Sequence, residues 1–182
     1  MVQGKNFALV AAQIIVGLSL MLPLAAQGQV TWETLTSFRS IRRLAVVDDT
    51  LYAATSGGLL RVHEFGSPGQ EFIHTDGLGT TDLRDIEADA SGMVWLAGFG
   101  RLIRFDPLNP RQYLFRDRDG NQLSLFSIED DGDFVWVGTN IGLVLFSKVE
   151  DGGQIEDSYT LFGGLNPSPQ VLDIELRNDT IW

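Results

Sequence analysis

The chain has 182 residues, with 24 Asp and Glu against 13 Lys and Arg, a formal net charge of −11, and no cysteine. The acidic balance disfavours nucleic acid and anionic lipid surfaces as partners. The absence of cysteine excludes disulfide staples and a thiol nucleophile, so stability must come from packing.

The first segment stands apart. Lys5 precedes an almost wholly apolar stretch from Phe7 to Leu24, and Ala26-Gln27-Gly28 follows with small residues at the right spacing for cleavage. This pattern predicts a secretory signal peptide over 1–28 and a mature start near Gln29. The competing reading is an uncleaved membrane anchor, for which 18–20 apolar residues is about the lower limit. No cysteine follows the apolar run, so lipoprotein-type attachment has no acceptor.

From residue 29 onward the chain repeats itself. An apolar run, Ile41 to Val47, leads through Asp48-Asp49-Thr50 into Leu51-Tyr52-Ala53-Ala54-Thr55-Ser56-Gly57-Gly58-Leu59, then through a polar loop to Phe72 and Asp76-Gly77-Leu78. The second unit runs from Leu83 to Ile86, turns at Asp89-Ala90-Ser91-Gly92, and reads Val94-Trp95-Leu96-Ala97-Gly98, then Leu102 to Phe105 and Phe115. A third begins at Leu125 to Ile128, turns over Glu129 to Asp133, and reads Val135-Trp136-Val137-Gly138-Thr139, then Leu143 to Phe146 and Phe162. A fourth offers Val171 to Leu176, a turn at Asn178-Asp179-Thr180, and Ile181-Trp182.

The aromatic positions Tyr52, Trp95, Trp136 and Trp182 are 43, 41 and 46 residues apart. A period of roughly 40–50 residues is that of four-stranded propeller blades. The apolar runs are short, rich in β-branched and aromatic residues, and separated by Asp, Asn and Gly turns, which reads as strands rather than helices. The expectation is an all-β partial propeller of about three to three and a half blades over 29–182, ending within a blade. Tyr52, Trp95, Trp136 and Trp182 are then structural repeat positions, with Trp95 and Trp136 packed between sheets, because a ligand contact is needed once and not once per blade. The final strand should present an open edge.

Chemistry-bearing motifs are absent. There is no nucleophile elbow, phosphate loop or His-Glu-x-x-His. No cofactor and no catalytic residue is expected. His63 and His74 read as surface histidines. Asp117, Asp119 and Asn121 alternate like the first ligands of a calcium loop, but Gly120 comes two positions early and Ile128 stands where the closing Glu belongs, so a hairpin turn is the simpler reading. The acidic run Glu129 to Asp133 falls where every unit turns and reads as a solvated strand connection.

Val135-Trp136-Val137-Gly138-Thr139-Asn140-Ile141-Gly142-Leu143, together with Asp76-Gly77-Leu78 and the Tyr52 phrase, resembles the two-component regulator propeller repeat. The second unit departs from it at Ala97, Gly98 and Gly100-Arg101-Leu102. The resemblance covers about residues 31–182 and implies a propeller fold. It also implies one of two settings: the N-terminal propeller of PorZ-type surface proteins of type IX secretion, or the periplasmic sensor of a hybrid histidine kinase. The expected function is a non-catalytic exported binding module in the envelope of a Gram-negative bacterium. Its expected partners are a protein, glycan or small-molecule ligand and further blades of its own chain. A propeller hydrolase or lyase with its active site in further blades is the rival class.

Overall fold

A computed structural model describes residues 36–63, 66–149, 152–164, 169–178 and 180–182. The predicted signal peptide, Trp32, Leu165 and Asp179 lie outside the described residues. Within the unit Leu35–Trp182, three four-stranded antiparallel meanders follow one another. Sheet 1 holds β1 (Ile41–Val47), β2 (Thr50–Thr55), β3 (Gly58–Val62) and β4 (Gln70–Phe72). Sheet 2 holds β5 (Leu83–Ala88), β6 (Val94–Gly98), β7 (Arg101–Phe105) and β8 (Arg111–Leu114). Sheet 3 holds β9 (Leu125–Asp131), β10 (Phe134–Thr139), β11 (Gly142–Ser147) and β12 (Gln154–Tyr159). β13 (Leu176–Arg177) and β14 (Thr180–Ile181) pair as a short fourth sheet. Among the described residues the one helical element is a single 3-10 turn over His74–Asp76.

Each four-stranded sheet keeps its strands in chain order, and the first strands β1, β5 and β9 lie side by side. This is propeller architecture: every blade puts its first strand on the inner edge and its faces against its neighbours. The register explains the repeat. Tyr52 faces Ala45, Trp95 faces Glu87 and Trp136 faces Glu129 across the same pair of strands. Trp182 exchanges two backbone hydrogen bonds with Glu175, at 2.9 and 3.1 Å, so the fourth unit keeps the pattern.

Alternation sends one side of each sheet forward to the next blade and the other side backward. Forward-facing Tyr52, Leu59 and Phe72 join backward-facing Ile86, Val94, Leu96, Ile103 and Phe105 in one buried cluster. Forward-facing Trp95, Leu102 and Phe115 join backward-facing Ile128, Val135, Val137, Val144 and Phe146 in a second. Neither sheet could bury its apolar face alone, so the blades stabilise one another.

The tryptophan expectation needs a correction. Trp95 is buried at 3% exposure, whereas Trp136 is only half-buried and Trp182 is 74% exposed. Trp95 faces a complete four-stranded sheet. Trp136 faces the short β13–β14 pair, its ring leaning on Tyr159 with centroids 5.9 Å apart. Two further differences concern strands. The predicted Val171 to Leu176 strand is formed only at Leu176–Arg177, which pairs with Thr180–Ile181. The outer-strand aromatics that share a register are Phe72, Tyr113 and Tyr159, opposite Leu59, Leu102 and Leu143; Phe115 and Phe162 fall just beyond their strands.

The Thr-x-x-Gly phrase closes the β2–β3 and β10–β11 hairpins. Thr55 and Thr139 each donate their hydroxyl to the carbonyl of the glycine three residues on, both at 2.8 Å. Gly58 and Gly142 have φ +132° and +141°, and a Cβ at either would strike the carbonyl oxygen of Phe72 or Tyr159 on the outer strand. The second unit builds its hairpin differently, with Gly100 at φ +72° in a two-residue turn between Gly98 and Arg101.

Candidate functional site

Two features stand out from the repeat: a row of charges on the inner strands, and a cleft at the outer edge between sheets 2 and 3.

The row follows from register. Arg43, Asp85, Ser127 and Asp173 occupy one repeat position, and Glu87, Glu129 and Glu175 another two residues on. The Asp85 carboxylate accepts the N–H of Ile86 at 2.9 Å and that of Ile128, on the next blade, at 2.8 Å. Arg43 Nε lies 3.5 Å from Asp85, and its Nη2 donates to Asp173 at 2.8 Å. Burial pushes the Asp85 carboxyl up, against the opposing pull of those two N–H groups and Arg43. Glu129 reaches forward in the same way and accepts the N–H of Leu176 at 3.3 Å. Burial first, then the charges of Glu129, Asp85 and Asp130, push Glu87 up to about 7.

Beyond this row lies a clasp between the blades. Lys148, just after β11, contacts Asp130 and lies 3.4 Å from Asp89, with all three side chains at 16% exposure or less. Its ammonium sits 5.6 Å from the centre of the Trp95 ring, and Trp95 Nε1 donates to Asp89 at 3.0 Å. Burial pushes the Asp89 carboxyl up, but hydrogen bonds from Ser91, Trp95 and Met93 and the charge of Lys148 outweigh it and hold it at about 2. The acidic run is therefore divided: Asp131 to Asp133 is exposed, as a solvated turn should be, while Asp130 holds the Lys148 ammonium from within sheet 3 as that ammonium reaches Asp89 of sheet 2.

The cleft encloses about 400 Å³. Its floor is Leu123, Thr139 and Val144; its far wall is Ile155, Ser158 and Thr160 along β12; its rim is the loop after β8. That loop is pinned at both ends. Leu123 N–H donates to the Phe115 carbonyl at 3.0 Å, and Ser124 N–H donates to the Asn140 side chain at 2.8 Å, joining the loops of two blades. At its tip, Asp117 accepts the N–H groups of Asp119 and Asn121 and the side-chain amide of Asn121, at 2.8–2.9 Å. Those bonds, the Asn121 amide first, hold its carboxyl below the usual range.

The three calcium-loop residues are thus brought together, but as a self-satisfied turn: Asp117 accepts from the other two rather than aligning with them around a cation. Among the described residues no group of three His, Cys, Asp or Glu is placed to hold a metal. Arg116 donates to Gly120 at 2.7 Å. Arg118 and Asp119 line the rim, so the cleft offers one donor head, one acceptor head, and a wall of one apolar and two hydroxyl-bearing side chains. His63 bonds Thr50 at 2.9 Å and His74 opens the exposed 3-10 turn, in separate places.

Arg43, Asp85, Asp173 and Lys148 belong to no motif that the sequence displays on its own. The signal for Asp85 and Asp173 lay in a second repeated phrase, Asp85-Ile86-Glu87, Ser127-Ile128-Glu129 and Asp173-Ile174-Glu175, built around a constant Ile; the first unit departs from it with Arg43-Leu44-Ala45. Lys148 has no such signal, because it acts once.

The chain matches no protein-family model and no curated protein. It is similar in fold to solved extracellular domains from B. thetaiotaomicron. Two are structures of BT4673, described in one as a one component system and in the other as a hybrid two component system. Their TM-scores are 0.59 and 0.57 at 12% identity, over 76% and 74% of this chain. The third is that of the hybrid two component system BT3049, with TM-score 0.52 at 17% identity over 70% of this chain. The chain spans less than a fifth of each of them, covering 18%, 17% and 19%. At these identities the likeness speaks for the fold, and it is the propeller fold that the register and the sheet order describe.

Proposed function

We propose that this chain is an exported, propeller-based ligand-binding module, of the kind that forms the extracellular sensing part of a two-component system. The observation that carries the reading is the likeness in fold to the extracellular domains of BT4673 and BT3049 over 70–76% of the chain. The apolar segment ahead of a small-residue cleavage signal supports export. The cleft beside Arg118 is the candidate binding site, since a concave apolar surface with a few convergent polar groups is what small ligands require. The type IX surface-protein setting shares export and fold, and differs in having a sorting domain where a sensor has a membrane span and kinase.

The test has two arms. The full chain, tagged at its C-terminus and expressed in a Gram-negative host, should be recovered outside the cytoplasm with Gln29 or a near neighbour as its first residue. Thermal-shift screening of that material against a small-molecule library should then give stabilising compounds whose effect is lost in Arg118→Ala and Ile155→Asp. Retention of residues 1–28 in the cytoplasmic fraction overturns the export reading. Compounds that stabilise both variants as well as the parent place binding elsewhere than the cleft.

A further inference from the structure

The loop after β8 divides its charges into used and unused. The Asp117 carboxylate is occupied by two backbone N–H groups and the Asn121 amide, and Arg116 donates to the Gly120 carbonyl. Arg118 and Asp119 are exposed and line the cleft, and among the described residues neither side chain has a hydrogen-bond or ion-pair partner, the other included. Their Cα atoms are about 3.8 Å apart, as in any trans-linked pair. Opposite charges are thus presented side by side without neutralising one another. Below them lie Leu123 and Val144, each 4% exposed, and Ile155 on the far wall is 43% exposed. None of the described lining residues is aromatic, so the flat face of a base or a sugar ring has nothing to stack on.

We propose that the cleft takes a free α-amino acid with an aliphatic side chain, its carboxylate on Arg118, its ammonium on Asp119 and its side chain against Ile155 above Leu123 and Val144. This rests on the reading of the cleft as the ligand site, and names the class of ligand. An α-amino acid carries both charges on one carbon, which is the arrangement that two adjacent side chains serve together. A guanidinium matches a carboxylate with two parallel hydrogen bonds, and a carboxylate accepts from an ammonium. A ligand with a single charge would desolvate the other rim charge without giving it a partner, so the pair selects against it. The hydroxyls of Ser158 and Thr160 supply neutral partners along the wall. A volume of about 400 Å³ lies toward the small end of ligand pockets, in keeping with a molecule of this size.

Isothermal titration of the full chain with L-leucine tests this. Leucinamide, which lacks the carboxylate, 4-methylpentanoate, which lacks the ammonium, and glucose are titrated alongside. L-Leucine should bind, and each analogue should bind about tenfold or more weakly, as loss of a charged partner requires. Arg118→Gln should abolish the preference for leucine over leucinamide and keep that over 4-methylpentanoate. Asp119→Asn should do the reverse, a crossed pattern that misfolding of a variant does not produce. No binding of L-leucine, no preference over its analogues, or preferences that the two variants leave unmoved each overturns the amino-acid assignment. Binding of glucose or a library compound in its place, lost in Ile155→Asp, overturns the assignment and leaves the cleft as the ligand site. Binding that Ile155→Asp leaves intact overturns both.

Discussion

The carboxylate of Asp85 on one blade accepts the backbone N–H of Ile128 on the next, at 2.8 Å. The seam between sheets 2 and 3 is therefore closed at its inner edge by a side chain standing in for a strand partner. Ile128 is buried, so its N–H has no ready access to water. Asp85→Ala should cost about 1–3 kcal/mol, the penalty for stranding a buried donor. Asp85→Asn keeps one acceptor and should cost less. Equilibrium urea unfolding of both variants measures the difference, and equal costs would mean that the carboxylate charge rather than the Ile128 bond matters.

The repeated tryptophans should separate under mutation. Trp95→Ala removes a side chain buried between two complete sheets and should cost about 3–5 kcal/mol. Trp136→Ala, at a half-covered position, should cost less than half as much. Urea midpoints at constant slope would show it; equal losses would mean that Trp136 is covered in solution.

Lys148→Met keeps most of the side-chain volume and removes the charge. It leaves Asp89 and Asp130 facing each other without a cation, and removal of one partner from a buried ion pair costs about 3 kcal/mol or more. The double variant Lys148→Met with Asp130→Leu should recover part of the loss. Failure to recover would indicate that Lys148 contributes mainly through packing on Trp95.

Glu87 gives the seam a pH dependence of known sign. Its folded pKa is raised from the ordinary 4.5 to about 7, so the folded chain holds a proton that the unfolded chain releases. Its contribution is fully present below 4.5 and is lost as pH rises through about 7. Asp89, held at about 2, acts oppositely: its contribution is present above 3.8 and lost as pH falls toward 2. Glu87→Gln should therefore flatten the fall in melting temperature as pH rises from 4.5 through about 7 and leave the acid limb unchanged. An unchanged alkaline limb in the variant would show that another group sets it.

Gly142→Ala should destabilise by at least about 2 kcal/mol, since it combines a φ of +141° with a Cβ aimed at the Tyr159 carbonyl. Gly120→Ala, at a positive φ with open space around it, should cost less. Thermal melts of the pair separate close approach from backbone preference alone.

The spacing of Tyr52, Trp95, Trp136 and Trp182 by itself determined the period, the strand content and the blade architecture, because each aromatic must return to the same place between sheets. The Thr-x-x-Gly phrase likewise determined two hairpins through local hydrogen bonds. The outer strand β12, Gln-Ile-Glu-Asp-Ser-Tyr, was illegible, since an edge strand needs backbone pairing but no buried face. Only the tertiary structure decided that identical sequence positions have different fates. Trp95 and Trp136 read alike, yet Trp95 is 3% exposed and Trp136 only half-buried, its ring against Tyr159. It also decided that Asp130, one acid among four in a turn, is paired with Lys148 beside the Trp95 ring. The partner of a charge is set by which strands the fold brings together and not by its neighbours in sequence.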